Sequence, residues 1–168
     1  MSEIRRATKK DAETILNILV TCANWLAEND MNHWLGAYSI EGVSKRIETM
    51  EVYLATNELK EPVGTIALTN HSPDYYVGVD TYWLDSTSPA IYIKGLAVLP
   101  KHQGKGIAKT LLQFAEEKTK EKRIKFIRLD AVANYNELTQ FYLKRGFKLV
   151  GKTMLGGQAS NLFEKQIT

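Results

Sequence analysis

Apolar positions along the 168-residue chain change their period several times, and each change predicts an element. Ile4-Arg5-Arg6-Ala7 reads as a short strand. Ile15, Leu16, Ile18, Leu19 and Cys22 then fall on one helical face. Thr8, with Asp11 three positions on, has the spacing of a capping box before that helix. A second, less regular helical stretch covers 34–50. Alternation returns in 51–57 and 63–69, with Val52 and Leu54 on one face. The polar turn Glu58-Leu59-Lys60-Glu61-Pro62 joins the two runs as an antiparallel hairpin. Residues 90–99 form a central strand. Gly95 interrupts its alternation, the mark of a bulge or of something approaching the backbone closely.

Helical spacing resumes at Ile107, Ala108, Leu111, Leu112 and Ala115. Another strand follows over 124–132. A helix over 137–145 turns Leu138, Phe141 and Tyr142 inward, with Asn136 as its cap and Gly146 as its end. Residues 147–150 and 161–167 supply the last strands, and Gly156-Gly157 turns between them. The order is strand, one or two helices, three strands, helix, strand, helix, two strands. It predicts an α/β fold with a mixed sheet and helices on both faces. No repeat or linker divides the chain, so a single domain over 1–168 is expected.

Composition narrows the function classes. Hydrophobic residues make up 44% and charged residues 24%, values of a soluble domain with a real core. The formal net charge of +3 is too small to argue for nucleic acid. The densest basic run, 118–125, closes an amphipathic helix, where cations suit the helix C-terminus. Cys22 is the one cysteine, so no internal disulfide forms. The three histidines lack ligand spacing, and no metal is expected. Neither an apolar leader nor a membrane-length run is present, so the expectation is a cytoplasmic protein without a membrane partner.

Candidate chemistry concentrates in 96–108. There an apolar strand runs through Lys101, His102, Gln103, Gly104, Lys105 and Gly106 into a helix. Such a turn exposes backbone N–H groups at a helix N-terminus, where an anion can bind. Two readings stand at this level, an anion-binding nest and a purely structural turn. A P-loop is excluded, because Lys105 is followed by Gly106 rather than Ser or Thr. The glycine spacing and late position also exclude a dinucleotide fingerprint.

Gln103-Gly104-Lys105-Gly106-Ile107-Ala108 resembles the Gln/Arg-x-x-Gly-x-Gly/Ala motif of the GNAT superfamily of acyl-CoA-dependent N-acyltransferases. Leu96-Ala97-Val98 matches the strand before it. Asn134, with Phe141-Tyr142-Leu143-Lys144-Arg145-Gly146-Phe147, is similar to the family's later cofactor and catalytic segment. The resemblance covers nearly the whole chain. It implies a twisted, splayed mixed sheet flanked by helices, with acetyl-CoA as cosubstrate. It also implies that Gln103 to Ala108 hold the CoA pyrophosphate and that Leu96, Ala97 and Val98 meet the pantetheine arm through their backbone. An amine then attacks the thioester directly, with one strand amide polarising the carbonyl.

Tyr142 occupies the family's general-acid position for the leaving thiolate, while packing with Phe141 and Phe147 is its alternative. Asn134 would bond near the cofactor arm or cap a turn. Lys144 and Arg145 would meet CoA phosphates or solvate a helix end. The acidic residue that some family members carry on this strand is missing, since 90–99 carries Tyr92 and Lys94 but no Asp or Glu. Asp80, Asp85 and Asp130 are the alternatives as base by chemistry, with His33 and His71 behind them.

The segments 25–34 and 70–89 combine aromatic with polar or acidic residues and suit the walls of an amine acceptor site. The expected function is transfer of acetyl from acetyl-CoA to a primary amine of a small molecule or peptide. A non-catalytic acyl-CoA sensor of the same fold is the alternative. No nucleic-acid partner is expected, and the family's habit of pairing leaves a homodimer open.

Overall fold

The computed structural model describes residues 3–168, in the element order that the pattern predicts. In chain order these are β1 (Glu3–Arg6), α1 (Ala12–Glu28), α2 (Ile40–Thr49), β2 (Glu51–Thr56), β3 (Pro62–Thr69) and β4 (Ala90–Val98). Then come α3 (Ile107–Glu121), β5 (Phe126–Val132), α4 (Asn136–Lys144), β6 (Lys148–Leu155) and β7 (Gln158–Gln166). Residues pack into two units, 3–68 with 94–115 and 69–93 with 116–168.

In the first unit the strand order is β1-β2-β3-β4. β1 and β3 both run antiparallel to β2, with Val52 opposite Ala67. Alternation along β2 sends Val52 and Leu54 against Ile15, Ile18 and Leu19 of α1 and Val43 and Ile47 of α2. Tyr53 points the other way and meets Phe114 of α3 edge-on, with ring centroids 4.6 Å apart. On that face a Cβ at Gly64 would stand 3.1 to 3.3 Å from the Ala97 carbonyl, Leu111 and Ile107, so α3 approaches the backbone closely. Helices cover both faces, and four successive β2 residues are buried.

Two local signals decide this unit's helices. Thr8 N–H donates to the Asp11 carboxylate at 2.8 Å, and Arg5 forks onto the same carboxylate at 2.7 and 2.9 Å. A short 3-10 turn there leads into α1. The expected helix over 34–50 is shorter than the pattern suggests. α2 begins at Ile40, where the Ser39 hydroxyl accepts from Gly42 N–H at 3.1 Å. Trp34 and Tyr38 have helical spacing, but Gly36 between them adopts φ +74°, which no helix uses. Their rings instead meet at right angles, 5.6 Å apart, against the core.

In the second unit the order is β4-β5-β7-β6. β4 runs parallel to β5, while β7 runs antiparallel to both β5 and β6, so the sheet is mixed. The parallel ladder covers only Ala90 to Tyr92, although β4 continues to Val98. Tyr76, Val79, Trp83, Tyr92, Phe126, Leu155 and Leu162 form the core. The segment 70–89 contributes turns and a 3-10 turn at Asp80–Tyr82. It carries no strand.

β6 and β7 extend well beyond the predicted 147–150 and 161–167, up to a turn in which Gly156 and Gly157 have φ of +55° and +79°. Exposed polar positions such as Lys152 and Gln158 hid the extra length. A bulge lies near Gly151, where any side chain would collide with the Tyr82 ring. α4 starts at Asn136 itself, with Tyr135 at the cap position and no side-chain bond there. Asn136 is therefore inside the helix rather than its cap. Gly146, at φ +86°, follows the helix as expected. Among the described residues no helix is long and apolar enough to cross a membrane, and no His, Cys, Asp and Glu cluster could hold a metal ion.

Candidate functional site

The strand-to-helix turn of the first unit has the geometry of an anion cradle. Pro100–His102 forms a 3-10 turn, and Gln103 to Gly106 follow it exposed. Gly104 and Gly106 have φ of +78° and +82°, a region L side chains rarely adopt. A Cβ at either would meet nothing within 4 Å, so the space before these amides is open. The first backbone bond into α3 runs from Thr110 N–H to the Gly106 carbonyl at 3.0 Å. The amides before it have no intrahelical acceptor. Lys105 Nζ lies 3.5 Å from His102 Nδ1 on the turn, with Lys105 exposed and His102 half-buried. Ile107 is buried and Ala108 half-buried, which seats the helix while its first amides stay open.

Just upstream, the backbone of β4 is shaped by side chains. Gly95 takes φ +59°, and a Cβ there would press on Arg46 Nη1 at 2.5 Å. The guanidinium is what approaches the backbone at the broken alternation, and it lies 5.6 Å from the Tyr38 ring centroid. Leu99 N–H donates to the Val63 carbonyl at 2.9 Å, so Leu99 faces β3. Strand alternation turns the backbone groups of Leu96 and Val98 to the opposite edge. Ala97, between them, faces β3 like Leu99 and is buried in the helix-covered core. The Val98 carbonyl already accepts from Cys22 Sγ at 3.2 Å and from Gln103 Nε2 at 3.4 Å. Those two donors use its two lone pairs. By the same alternation the Val98 N–H and the backbone groups of Leu96 face away from β3.

In the second unit Tyr142 is 5% exposed, with Phe141, Phe147 and Phe163 at ring distances of 5.2, 5.7 and 5.2 Å. The packing reading of its ring is therefore correct. Burial, and secondly the charge of Asp130, push the phenol well above its ordinary pKa. Asn134 is exposed in the turn before α4. Arg145 folds back over the Phe141 ring at 3.8 Å and donates to the Phe141 carbonyl at 3.0 Å, which makes it a helix-end residue. Lys144 is exposed.

The three candidate carboxylates separate clearly. Asp85 accepts from Thr87 N–H, Thr87 Oγ1 and Ser88 Oγ at 3.0, 2.7 and 2.5 Å. These donors, the Ser88 hydroxyl first, pull its pKa to about 2, which makes it a turn-former and a feeble base. Asp80 is exposed in its 3-10 turn. Asp130 is half-buried on β5, where Tyr76 and Tyr75 donate to its Oδ1 at 2.6 and 3.1 Å. Sequence reasoning missed this clamp. Its only trace was the adjacent tyrosine pair in a long aromatic segment. Tyr92 is absorbed by structure, accepting from Arg128 at 3.2 Å. His71 is exposed, and His33 packs beside Trp34.

Comparisons with known proteins agree with this arrangement. The model of the acetyltransferase (GNAT) family matches residues 18–147. An uncharacterized N-acetyltransferase, YesJ of Bacillus subtilis (strain 168), is 31% identical over 172 residues, covering 96% of this chain and 88% of that protein. The crystal structure of a GNAT-family acetyltransferase from Listeria monocytogenes 4b F2365 superposes with a TM-score of 0.80 at 26% identity. It covers 98% of this chain and 94% of that one. The PaiA N-acetyltransferase of Thermoplasma acidophilum, solved in complex with coenzyme A, has the same fold. Its TM-score is 0.73 at 23% identity, with 99% of both chains covered.

Proposed function

The chain belongs to the GNAT family of acetyltransferases, and we propose that it moves an acetyl group from acetyl-CoA to a primary amine of a small molecule or peptide. The observation that carries this reading is the open turn at 103–106, whose two positive-φ glycines leave the first α3 amides clear of side chains. A diphosphate fits such a cradle, because it needs several convergent N–H donors and no Cβ in the way. That a similar N-acetyltransferase was solved with coenzyme A supports the choice of cosubstrate.

The thioester supplies an activated acetyl group, and the chain's residues supply position and electrostatics. Gln103, Gly104, Lys105, Gly106, Ile107 and Ala108 hold the diphosphate. Leu96 and the Val98 N–H pair with the pantetheine amides in the manner of an added strand, with buried Ala97 holding the strand between them. Asn134 bonds beside that arm. Tyr142 donates its hydroxyl hydrogen to the sulfur as it leaves. The buried phenol keeps its proton at neutral pH, whereas a thiol has a pKa of roughly 8.5. The hydroxyl therefore stabilises the thiolate chiefly as a hydrogen-bond donor.

The test is acetyl-CoA-dependent release of CoA across polyamines, amino acids, aminoglycosides and peptides, with calorimetric binding of acetyl-CoA alongside. Amine-dependent release is the expected result. Binding without release from any amine would favour an acyl-CoA sensor, and absence of binding would sink the reading.

A further inference from the structure

The acetyltransferase reading names an amine and leaves open what else the acceptor carries. One guanidinium of the first unit bears on that. Arg46 is half-buried on α2. Its Cζ lies 5.6 Å from the Tyr38 ring centroid, and Trp34 meets Tyr38 edge-on at 5.6 Å, so an aromatic pair packed against the core supports it. Its Nη1 stands 2.5 Å from where a Cβ of residue 95 would be. The guanidinium therefore reaches β4 only because Gly95, at φ +59°, has no side chain.

That charge is not matched within the chain. Among the described residues the Arg46 guanidinium makes no hydrogen bond or ion pair. One turn to either side on the helix stand Gly42, Val43, Thr49 and Met50, none of them acidic. Glu41 and Glu48 of α2 are exposed, and Glu48 pairs with Lys9 at 3.6 Å. Half-burial has stripped the guanidinium of part of its water, which strengthens its pull on an anion.

β4 opens at the same point. It is buried from Ala90 to Ile93 and again at Ala97 and Val98, whereas Lys94, Gly95 and Leu96 are half-buried. With the diphosphate at 103–106, the cofactor arm pairs first with Val98 and then with Leu96. Its thioester end then lies toward Gly95, on the stretch that Arg46 touches.

We propose that Arg46 binds a carboxylate on the acceptor, so that the substrate is a small amine of the amino-acid type. The inference rests on the acetyltransferase reading and names what the acceptor carries beyond its nitrogen. The guanidinium fork takes both carboxylate oxygens, a match that a lysine ammonium lacks. The Tyr38 ring and the bare Gly95 backbone hold the fork in place, and the amine end is left free for the thioester. Polyamines bring only positive charge, and the same guanidinium repels them.

The binding test is NMR of the full-length protein labelled with nitrogen-15 arginine, with coenzyme A present, titrated with sodium propionate or, as control, propionamide. Loss of one Nε–H signal in Arg46→Lys assigns Arg46. That signal should move saturably with propionate and not with propionamide. Absence of a saturable, propionate-specific shift overturns the proposal.

The turnover test measures acetyl-CoA-dependent CoA release with each amino acid beside its carboxamide. The acid should exceed its amide in kcat/KM at least about tenfold. Arg46→Gln should erase that preference by raising KM for the acid at least about tenfold, with kcat held within about threefold. Urea unfolding of this variant checks that the fold is kept, and Arg46→Lys should fall between it and wild type. Equal use of acid and amide by the wild-type protein, or a preference that survives Arg46→Gln, overturns the proposal. A preference for succinyl-CoA over acetyl-CoA that Arg46→Gln abolishes overturns it too, since the guanidinium would then read the acyl group. Failure of the wild-type protein to bind acetyl-CoA would strike the acetyltransferase reading alone, and the propionate titration would still decide whether Arg46 binds a carboxylate.

Discussion

Arg128 Nε donates to Glu164 Oε2 at 2.8 Å, and the two side chains are only 1% and 5% exposed. The same guanidinium donates to the Asp85 carbonyl at 2.7 Å and lies 4.9 Å from the Trp83 ring centroid. Glu164 Oε1 accepts Leu84 N–H at 3.0 Å. The pair therefore fastens the loop that carries Tyr75 and Tyr76 onto β5 and β7. Removing one partner leaves a buried charge alone, at a cost of about 3–5 kcal/mol. Arg128→Met and Glu164→Gln should each lose stability on that scale in urea unfolding. The double replacement should lose less than the two single losses combined, because neither charge is then stranded.

Tyr142→Phe keeps the aromatic packing and removes only the hydroxyl. Acetyl-CoA binding should stay within about twofold by calorimetry, while kcat falls about 100-fold or more. Unchanged turnover would remove Tyr142 from the mechanism.

Gly106→Asp places a carboxylate where a phosphate is expected. Aspartate tolerates the left-handed backbone better than most residues, so the cost to the fold is about 1 kcal/mol. Affinity for acetyl-CoA should drop at least about tenfold, more steeply at low ionic strength. Tight binding by this variant would argue for a purely structural turn.

Cys22 is buried, and that burial, against the smaller pull of its bond to Val98, raises its thiol to about 11. The thiolate is the reactive species, so alkylation by iodoacetamide at pH 8 should run about 100-fold slower than for an exposed cysteine. Mass spectrometry of the labelled protein, with and without denaturant, measures this. Rapid native labelling would mean that α1 does not hold the thiol against β4.

Arg5, and after it burial and Thr8, set the pKa of Asp11, with a net fall to about 2. Because the folded value lies below the unfolded one, the stabilisation is complete above about pH 4 and disappears as pH falls toward 2. Arg5 is 49% exposed, so the effect is at most about 1 kcal/mol. Asp11→Asn should melt below wild type at pH 6 and approach it at pH 2. A gap that does not change with pH would assign the effect to packing.

The sequence alone determined whatever depends on neighbours a few residues apart. The helical spacing of α1 and α3, the hairpin around 58–62, and the glycines of the 103–108 turn are local signals, and the structure follows them. Gly95 was legible as a break in alternation, though not that Arg46 is what approaches it. Local signals also misled where a rival local term won. Trp34 and Tyr38 mimic a helix that Gly36 breaks, and Asn136 resembles a cap yet lies inside α4.

The tertiary structure decided which polar groups stand together. Asp80, Asp85 and Asp130 are equivalent as letters. Their roles part because Asp85 bonds to its own turn while Asp130 meets tyrosines 54 and 55 positions away. Arg128 sits in an apolar run and gives no local sign that a buried Glu164 matches it across β5 and β7. Pairings at that separation follow from strand register and from the desolvation cost of leaving a polar group unpaired. Both act only once the chain has folded, and no periodicity encodes them.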